Sequence, residues 1–364
     1  MVSRMTAMVS TELRVTPARA SCAEGVTSRR SFQKEFAVQP SADRPDKKGS
    51  PVTVLYVDGT ARSGSTVLAR MIGAQPKFVT IGEAVLIWRF GVVGNGTCSC
   101  GAPFSACPFW RDVGDSAPGL FDRRVAQLYT DFSNRVVLRS RQLPRLWTAR
   151  GRERIGESIP PGFLDDLSRL YHAVRTVSGA DVVVDSSKFA AYRFLLGLVP
   201  GLNVETIHLI RDPRAVAFSW QRKGLGSEQN ADESLRFEER TPFVAGLDWD
   251  LQNYSSDVIS KLERNRSTRI RYEDFVEHPK EAIHELMRLV GDGVGCREPE
   301  DLVVDLPAVH IFGNPNRFQS GATPIRFDDQ WRHEMSRVSR YVVTAITVPL
   351  MSRYGYSLSV RHTR

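Results

Sequence analysis

The sequence has few cysteines and no long apolar run, and these two absences exclude several classes of protein. Only five cysteines occur in 364 residues, too few for a disulfide-stapled scaffold, so a reducing, cytoplasmic location is the default expectation. No apolar run approaches the roughly 20 residues that a bilayer-spanning helix needs, so we expect no transmembrane segment. The hydrophobic fraction of 41% and the charged fraction of 25% are ordinary for a globular protein.

A large excess of charge is also missing from most of the chain. The formal net charge is +8, but residues 1–50 alone hold nine Lys/Arg and five Asp/Glu, which leaves +4 for the other 314 residues. This excess is too small to indicate a nucleic-acid partner and suits a local basic pocket for a small anion. Residues 1–50 are rich in Ser, Thr, Ala, Arg and Pro without periodicity, so we expect a disordered tail, either a targeting segment or a plain extension. We expect one domain over residues 51–364.

A lysine is missing from the most informative stretch, the glycine-rich segment 59–66. This segment follows an apolar run, 52–57, that predicts a buried strand, and it precedes a run, 67–72, that predicts a helix. Its spacing, G-x4-G and two further residues, is that of a phosphate-binding loop, but Ser65 stands where nucleotide triphosphatases have lysine. The positive charge lies instead at Arg62, so the loop is predicted to bind an anion other than the β- and γ-phosphates of ATP.

Predicted strands and helices alternate along the remainder of the chain. Apolar runs predict further strands at 78–81, 181–185, 204–210 and 268–272, separated by helical patterns, while Gly, Cys and Pro predict a loop over 92–118. This order indicates an α/β fold of the P-loop type, with a mostly parallel central sheet flanked by helices and with helical insertions. Because ligands bind at the carboxyl ends of parallel strands, we expect the site residues to lie directly after the strands.

A second anion motif follows the predicted strand 204–210. Arg211 comes at the strand end, Pro213 suits the start of the next helix, and Ser219 lies about two helical turns further on. The guanidinium fork of arginine fits phosphate oxygens, and a serine hydroxyl adds a donor. An arginine that caps the sheet edge and a serine on a helix face are an equally simple interpretation.

Taken together, the two motifs resemble those of the sulfotransferases that use 3′-phosphoadenosine 5′-phosphosulfate (PAPS). The resemblance covers roughly residues 52–335 and is closest to bacterial sulfotransferases and to protein-tyrosine sulfotransferases, whose loop also lacks the lysine. It implies that Arg211 and Ser219 bind the 3′-phosphate of PAPS. It also implies that the 5′-phosphosulfate is bound by the loop residues Arg62, Ser63, Gly64, Ser65 and Thr66.

Two further strand ends provide candidate catalytic residues. Glu83 follows the predicted strand 78–81, and in the tyrosine-sulfating relatives a Gly-Glu at similar spacing carries the general base, so the resemblance implies that role here. Lys188 lies just after strand 181–184 and could stabilise charge on the transferring sulfuryl group. The alternatives are that Glu83 caps a helix or pairs with an arginine, and that residues 185–187 cap the helix predicted at 189–198.

Histidine and a third arginine complete the candidate residues. His310 is the second choice for the base, since other sulfotransferases use histidine, whereas His208, in the middle of a strand, is expected to be a core residue. Arg317, in a stretch that resembles the family's C-terminal nucleotide-binding loop, is a candidate phosphate ligand.

The cysteines of the segment 98–107 raise the question of a metal. Cys98, Cys100 and Cys107 offer three thiols, but no histidine lies nearby to complete a set, and the spacing is not that of paired C-x2-C knuckles. We therefore favour buried thiols or a local disulfide and expect no metal.

The sequence thus favours an enzyme that transfers a sulfuryl group from PAPS to a hydroxyl-bearing acceptor, such as a small molecule, a glycolipid or a peptide. A P-loop nucleotide-binding protein or kinase-like enzyme is the main alternative, and a non-catalytic anion-binding module is another. The acceptor and the oligomeric state are not encoded in any motif that we recognise.

Overall fold

The computed structural model describes residues 50–222, 240–263, 266–291, 309–312 and 327–359. Five strands form one sheet: β1 (Val52–Gly59), β2 (Phe78–Gly82), β3 (Val182–Lys188), β4 (Leu202–Ile210) and β5 (Ser267–Arg271). Within these residues no helix is both long and apolar enough to cross a bilayer.

Helices surround the sheet and fill the connections between its strands. The described α-helices are α1 (Ser65–Gly73), α2 (Pro108–Ser116), α3 (Arg123–Phe132), α4 (Ala149–Glu157), α5 (Phe163–Ser178), α6 (Ala190–Leu196), α7 (Pro213–Gln221), α8 (Pro242–Leu262), α9 (Tyr272–Glu277), α10 (Pro279–Val290), α11 (Trp331–Glu334) and α12 (Arg337–Arg353). Short 3-10 and π-helical segments occupy Ala84–Leu86, Ile87–Val93, Phe104–Ala106, Ser133–Val137 and Ser140–Trp147.

The sheet is parallel and has the strand order β2-β3-β1-β4-β5. The connections leave β1 and β4 toward opposite edges, so these two central strands flank the point at which ligands bind in open α/β sheets. Both faces are covered, and all eight residues of β1 are buried, which explains why its sequence is mostly apolar. The predicted fold class is confirmed.

The carboxyl ends of the strands are irregular, in contrast to their regular beginnings. The register of β1 against β3 shifts between Tyr56 and Asp58, and that of β2 against β3 shifts between Thr80 and Gly82. Such bulges redirect side chains at the edge of a sheet and are common beside active sites. Here they lie at the edge where the candidate residues follow the strands.

The insertion between β2 and β3 differs most from the sequence-based predictions. The loop predicted over 92–118 is wrong at Pro108–Ser116, where α2 forms with Pro108 at its start and with Trp110 and Val113 buried. Proline is favourable there because its missing N–H has no helical partner at that position. Apolar residues at helical spacing also indicate a helix across 120–148, but α3 ends at Phe132, and π and 3-10 turns follow.

Candidate active site

The loop between β1 and α1 is shaped by two glycines with close neighbours. Gly59 has a φ of 138°, and a Cβ there would lie 2.3 Å from the Leu209 carbonyl oxygen of β4. Gly64 has a φ of 92°, and a Cβ there would lie 2.5 Å from the Tyr272 ring. No side chain caps α1, and its first turn contains no acidic residue. The positive end of the helix dipole is therefore open to an anion.

Arg62 and Ser63 lie in the middle of this loop. Arg62 has a left-handed backbone with φ 69°, and its guanidinium lies 5.1 Å from the centre of the Trp220 ring. Burial lowers the pKa of Arg62, and the nearby Arg222 cation lowers it further, while the negative charge of Glu83 raises it. The buried Ser63 hydroxyl has no hydrogen-bond partner among the described residues. The loop thus holds a cation and a buried donor.

A buried cluster of three charged residues, Asp58, Arg193 and Glu263, fixes the start of this loop. Arg193 of α6 donates from Nη1 to Asp58 Oδ2 at 3.1 Å and from Nη2 to Glu263 Oε2 at 2.7 Å. Asp58 in turn accepts a hydrogen bond from the Gly59 N–H through Oδ1, at 2.8 Å. The start of the glycine-rich loop is therefore fixed to α6 and to the end of α8. We did not predict this cluster, because nothing in the spacing of its three residues brings them together.

The two predicted catalytic side chains meet at the ends of β2 and β3. Lys188 Nζ lies 2.6 Å from Glu83 Oε1, and both side chains are about nine-tenths buried. Lys188 also donates to the Ser186 carbonyl oxygen at 3.1 Å, and it is held in a left-handed backbone conformation with φ 73°. Glu83 precedes the 3-10 turn Ala84–Leu86 but makes no capping hydrogen bond to it. The capping interpretation of Glu83 is therefore wrong in this structure.

Asp185 holds the backbone that follows Glu83. It is fully buried and accepts hydrogen bonds from Tyr171 Oη at 2.5 Å, from Ser187 N at 2.8 Å and Ser187 Oγ at 2.5 Å, and from Ala84 N at 3.4 Å. Burial raises its pKa to about 6, and the hydrogen bonds from Ser187 and Tyr171 oppose that rise. The interpretation of residues 185–187 as helix caps is wrong, since α6 begins after Phe189 without a side-chain cap.

On the other side of β1, Arg211 lies at the end of β4 and contacts the glycine-rich loop. It donates from Nη1 to the Arg62 carbonyl oxygen at 3.0 Å and from Nη2 to Asp328 at 3.1 Å. Its guanidinium lies 4.5 Å from the centre of the Tyr272 ring, and its Nε is buried without a partner among the described residues. Arg211 is thus held against the loop, and its Nε–H has no acceptor among the described residues.

Asp328 joins Arg211 to the end of α7. Its Oδ2 lies 3.5 Å from Arg222 Nη2, so that two arginines share one carboxylate. Ser219 lies on α7 one turn before Arg222 and is buried. The second anion motif is therefore a cluster with two cations. The signal for Arg222 and Asp328 was absent from the sequence, because it depends on the contact between residues about 100 positions apart.

Of the remaining candidates, the two histidines are both buried. His208 lies within β4 and its Nε2 is 2.9 Å from Asn253 Oδ1, which agrees with the expected core role. His310 is 2% exposed and its Nε2 lies 3.1 Å from Thr80 Oγ1, behind Gly82. His310 thus packs against the end of β2, directly before Glu83. Arg317 lies outside the described residues.

The three thiols of the insertion form a cluster instead of a disulfide. Cys98, Cys100 and Cys107 are free, with the first and last buried and Cys100 exposed. Their sulfur atoms all lie within 4.8 Å of one another. The expected burial is confirmed for two of the three thiols, and no disulfide links them in the structure.

No protein-family model and no curated protein matches the chain. Among solved structures, it is similar to a sulfotransferase domain of the Synechococcus PCC 7002 olefin synthase, with 17% identity, a TM-score of 0.45, and coverage of 88% of this chain and 100% of that domain. A sulfotransferase domain from the curacin biosynthetic pathway gives 20% identity, a TM-score of 0.46, and coverage of 85% and 99%. A sulfotransferase from Mycobacterium avium gives 12% identity, a TM-score of 0.42, and coverage of 86% and 79%. Similarity at this level does not establish a function, which has to be inferred from the residues of this chain.

Proposed function

We propose that this protein is a sulfotransferase that transfers a sulfuryl group from PAPS to the hydroxyl group of an acceptor. The observation that carries the proposal is the Glu83–Lys188 pair, 2.6 Å apart at two strand ends and close enough to the glycine-rich loop for the charge of Glu83 to act on Arg62. Transfer to a hydroxyl needs a base for its proton and cations for the oxygens that gain charge. This strand edge supplies both beside an anion-binding loop.

The loop after β1 would hold the phosphosulfate end of the donor. The open amino terminus of α1 offers the backbone N–H groups of Ser65 and Thr66, and Gly64 leaves room for a close approach. The Ser63 hydroxyl is a further donor, because it is buried without a hydrogen-bond partner in the described part of the chain. Arg62 supplies the positive charge that a P-loop lysine would otherwise provide.

Arg211 and Ser219 would hold the ribose 3′-phosphate. Arg211 already contacts the loop through the Arg62 carbonyl oxygen, which supports one continuous nucleotide site across β1 and β4. Asp328 now accepts from the guanidinium that this phosphate would use, and Arg222 shares the same carboxylate. Arg317 remains a prediction from the sequence resemblance.

In the proposed reaction, Glu83 accepts the proton of the acceptor hydroxyl while the oxygen of that hydroxyl forms a bond to the sulfur atom of PAPS. The bond between sulfur and the oxygen of the 5′-phosphate breaks, and its electron pair remains on that phosphate. Lys188 and Arg62 stabilise the charge that grows there, as preorganised cations do in related group transfers. The products are a sulfate ester, 3′-phosphoadenosine 5′-phosphate (PAP) and a protonated Glu83.

The alternative of a kinase-like or nucleotide-hydrolysing enzyme finds less support in the same residues. Ser65 replaces the lysine that contacts the β- and γ-phosphates. Asp185, the carboxylate at the end of β3, is buried and accepts four hydrogen bonds from protein groups. A carboxylate so occupied is poorly placed to hold Mg²⁺.

The test is to compare PAP with ATP–Mg²⁺ by isothermal titration calorimetry and to follow sulfur-labelled PAPS. We expect PAP to bind in the presence of EDTA and to compete with PAPS, and the label to move to a product when an acceptor extract is added. Identification of that labelled product would define the acceptor. Binding of ATP–Mg²⁺ without binding of PAP would overturn the proposal, and PAP binding without any label transfer would favour the non-catalytic module.

A further inference from the structure

The thiol cluster of the insertion is the strongest feature that the proposed function does not use. The Cys100 and Cys107 sulfurs are 3.5 Å apart, and all three sulfurs lie within 4.8 Å of one another. In a tetrahedral zinc site, Zn–S bonds of about 2.3 Å place neighbouring sulfurs about 3.8 Å apart. The Cys100–Cys107 separation of 3.5 Å is close to that value, and no pair of sulfurs is more than about 1 Å beyond it.

The backbone around the cluster is arranged as it is around thiolate ligands. Burial is the largest influence on the pKa of each thiol and acts to raise it, while the backbone N–H groups of Cys100, Ala102 and Trp110 oppose that rise at Cys98, Cys100 and Cys107 respectively. Each sulfur thus has its own backbone donor, which favours the charged form of a ligand. Cys107 is also the residue directly before α2, where the helix dipole favours negative charge.

A tight turn holds the first two cysteines in place. Cys98 N donates to Ala102 O and Gly101 N donates to Cys98 O, both at 2.8 Å. Thr97 and Pro103 close the turn with an antiparallel bridge, and Gly101 supplies the left-handed residue with φ 89°. The short spacing of Cys98 and Cys100, which the sequence does not reveal as a ligand pair, is therefore compatible with convergence of both sulfurs on one point.

We propose that Cys98, Cys100 and Cys107 bind one Zn²⁺ ion as thiolates, with a water molecule in the fourth position. No fourth His, Cys, Asp or Glu joins the cluster among the described residues, and Cys100 faces solvent. On binding, the three thiols release their protons and form three Zn–S bonds, and neither sulfur nor zinc changes oxidation state. This site replaces the sequence-based expectation of no metal, and it does not depend on the proposed sulfuryl transfer.

The ion would fasten the insertion to the strand end that carries Glu83. Ser99, between the two ligands, donates from its N–H to His310 O at 2.9 Å and accepts from His310 N at its Oγ at 3.0 Å. The His310 ring reaches Thr80 of β2 and packs against Gly82. Loss of the ion is therefore expected to loosen His310 and the end of β2, although no zinc ligand touches the Glu83–Lys188 pair.

The test is the metal content of untagged protein purified anaerobically without chelators or thiols. We expect about one zinc per chain by elemental analysis, and tetrahedral thiolate-to-cobalt absorption bands after exchange with Co²⁺. Cys100→Ser, chosen because this cysteine is exposed and its replacement leaves no cavity in the core, is expected to lower zinc content at least tenfold. Cys22→Ser is the matched control and is expected to retain the ion.

Thiol counts and melting temperature separate the remaining outcomes. Removal of zinc by a membrane-permeant chelator is expected to lower the Tm of the wild type but not that of Cys100→Ser, and one equivalent of Zn²⁺ is expected to restore it. Five reactive thiols in unfolded protein that neither contains nor takes up zinc would overturn the proposal. So would three reactive thiols, which indicate a disulfide, or zinc that Cys100→Ser retains.

Discussion

The two sides of β1 hold their charged groups in different ways. On the β3 side, Lys188 and Glu83 neutralise each other in a buried pair 2.6 Å apart. On the β4 side, Arg211 and Arg222 share a single carboxylate, Asp328, and Arg211 keeps an unpartnered Nε in the described structure. A neutral ion pair suits proton transfer, whereas an excess of positive charge suits the binding of a phosphate. We therefore expect variants on the β3 side to change turnover and variants on the β4 side to change affinity.

The largest effect is expected for Glu83→Gln on the β3 side. This variant keeps the size of the side chain but removes the proton acceptor, so kcat should fall roughly 10²–10⁴-fold. PAP affinity should be retained or rise, because a negative charge near Arg62 is lost. Single-turnover sulfuryl transfer and calorimetry measure the two quantities, with exposed Glu277→Gln on α9 as the control. Unchanged turnover would remove Glu83 from the mechanism.

Lys188→Met should lower kcat by about 10²–10³-fold through loss of a preorganised cation. Because the Met side chain leaves Glu83 without its partner, the double variant with Glu83→Gln separates catalysis from burial of a lone charge. Residues that act as a unit give non-additive losses, so the double variant should be little slower than Glu83→Gln alone. Lys261→Met, at an exposed position of α8, is the control. Additive losses would show that the pair does not act as a unit.

Asp185 connects the β3 side to stability and to pH. Its pKa in the folded protein is about 6, above the ordinary value of 3.8. The folded state therefore keeps a proton that the unfolded state loses, and stability should fall as pH rises from about 4 to about 6, by about 3 kcal/mol at most. Denaturant unfolding of the wild type and of Asp185→Asn across this range measures the difference. A difference that does not change with pH would contradict the raised pKa.

On the β4 side, Arg211→Lys should weaken PAP binding by about 10–100-fold, because lysine keeps the charge but loses the guanidinium fork. Ser219→Ala removes one neutral donor and should cost only about fivefold. Both losses should vanish for 5′-AMP, which lacks the 3′-phosphate, and the exposed Arg123→Lys on α3 should have no effect. Equal losses for PAP and 5′-AMP would place Arg211 at the 5′ end of the nucleotide.

The contrast between the two sides also separates what the sequence predicts from what it cannot. The positions of Glu83, Lys188 and Arg211 at one edge of the sheet were predictable because each lies shortly after an apolar run, and the ends of parallel strands meet at one edge. The pairing of both Arg211 and Arg222 with Asp328 was not, because it joins residues 117 and 106 positions apart in the chain.

The interior and the insertion were also predicted unevenly. Buried strands such as β1 have a mostly apolar sequence, so most strand bounds were predicted to within two residues, although β3 ends at Lys188, three residues beyond the predicted end at Asp185. Helix α2 was missed because Cys, Gly and Pro dominate the composition of its surroundings, while its two buried residues, Trp110 and Val113, are too few to establish a period. The Asp58–Arg193–Glu263 cluster depends on packing between elements that are far apart in the chain.

Two charged residues of the site have a backbone conformation that lowers the stability of the fold. Among the described residues other than glycine, four have a left-handed backbone, and two of them, Arg62 and Lys188, belong to the candidate site. Such a conformation costs about 1–3 kcal/mol in a residue with a side chain, whereas glycine adopts it freely. Selection for heat resistance alone would therefore favour glycine at positions 62 and 188. The resulting protein would be more stable but would lack both of these positive charges. The proposed chemistry would thus be gained at a cost of a few kcal/mol in the stability of the fold.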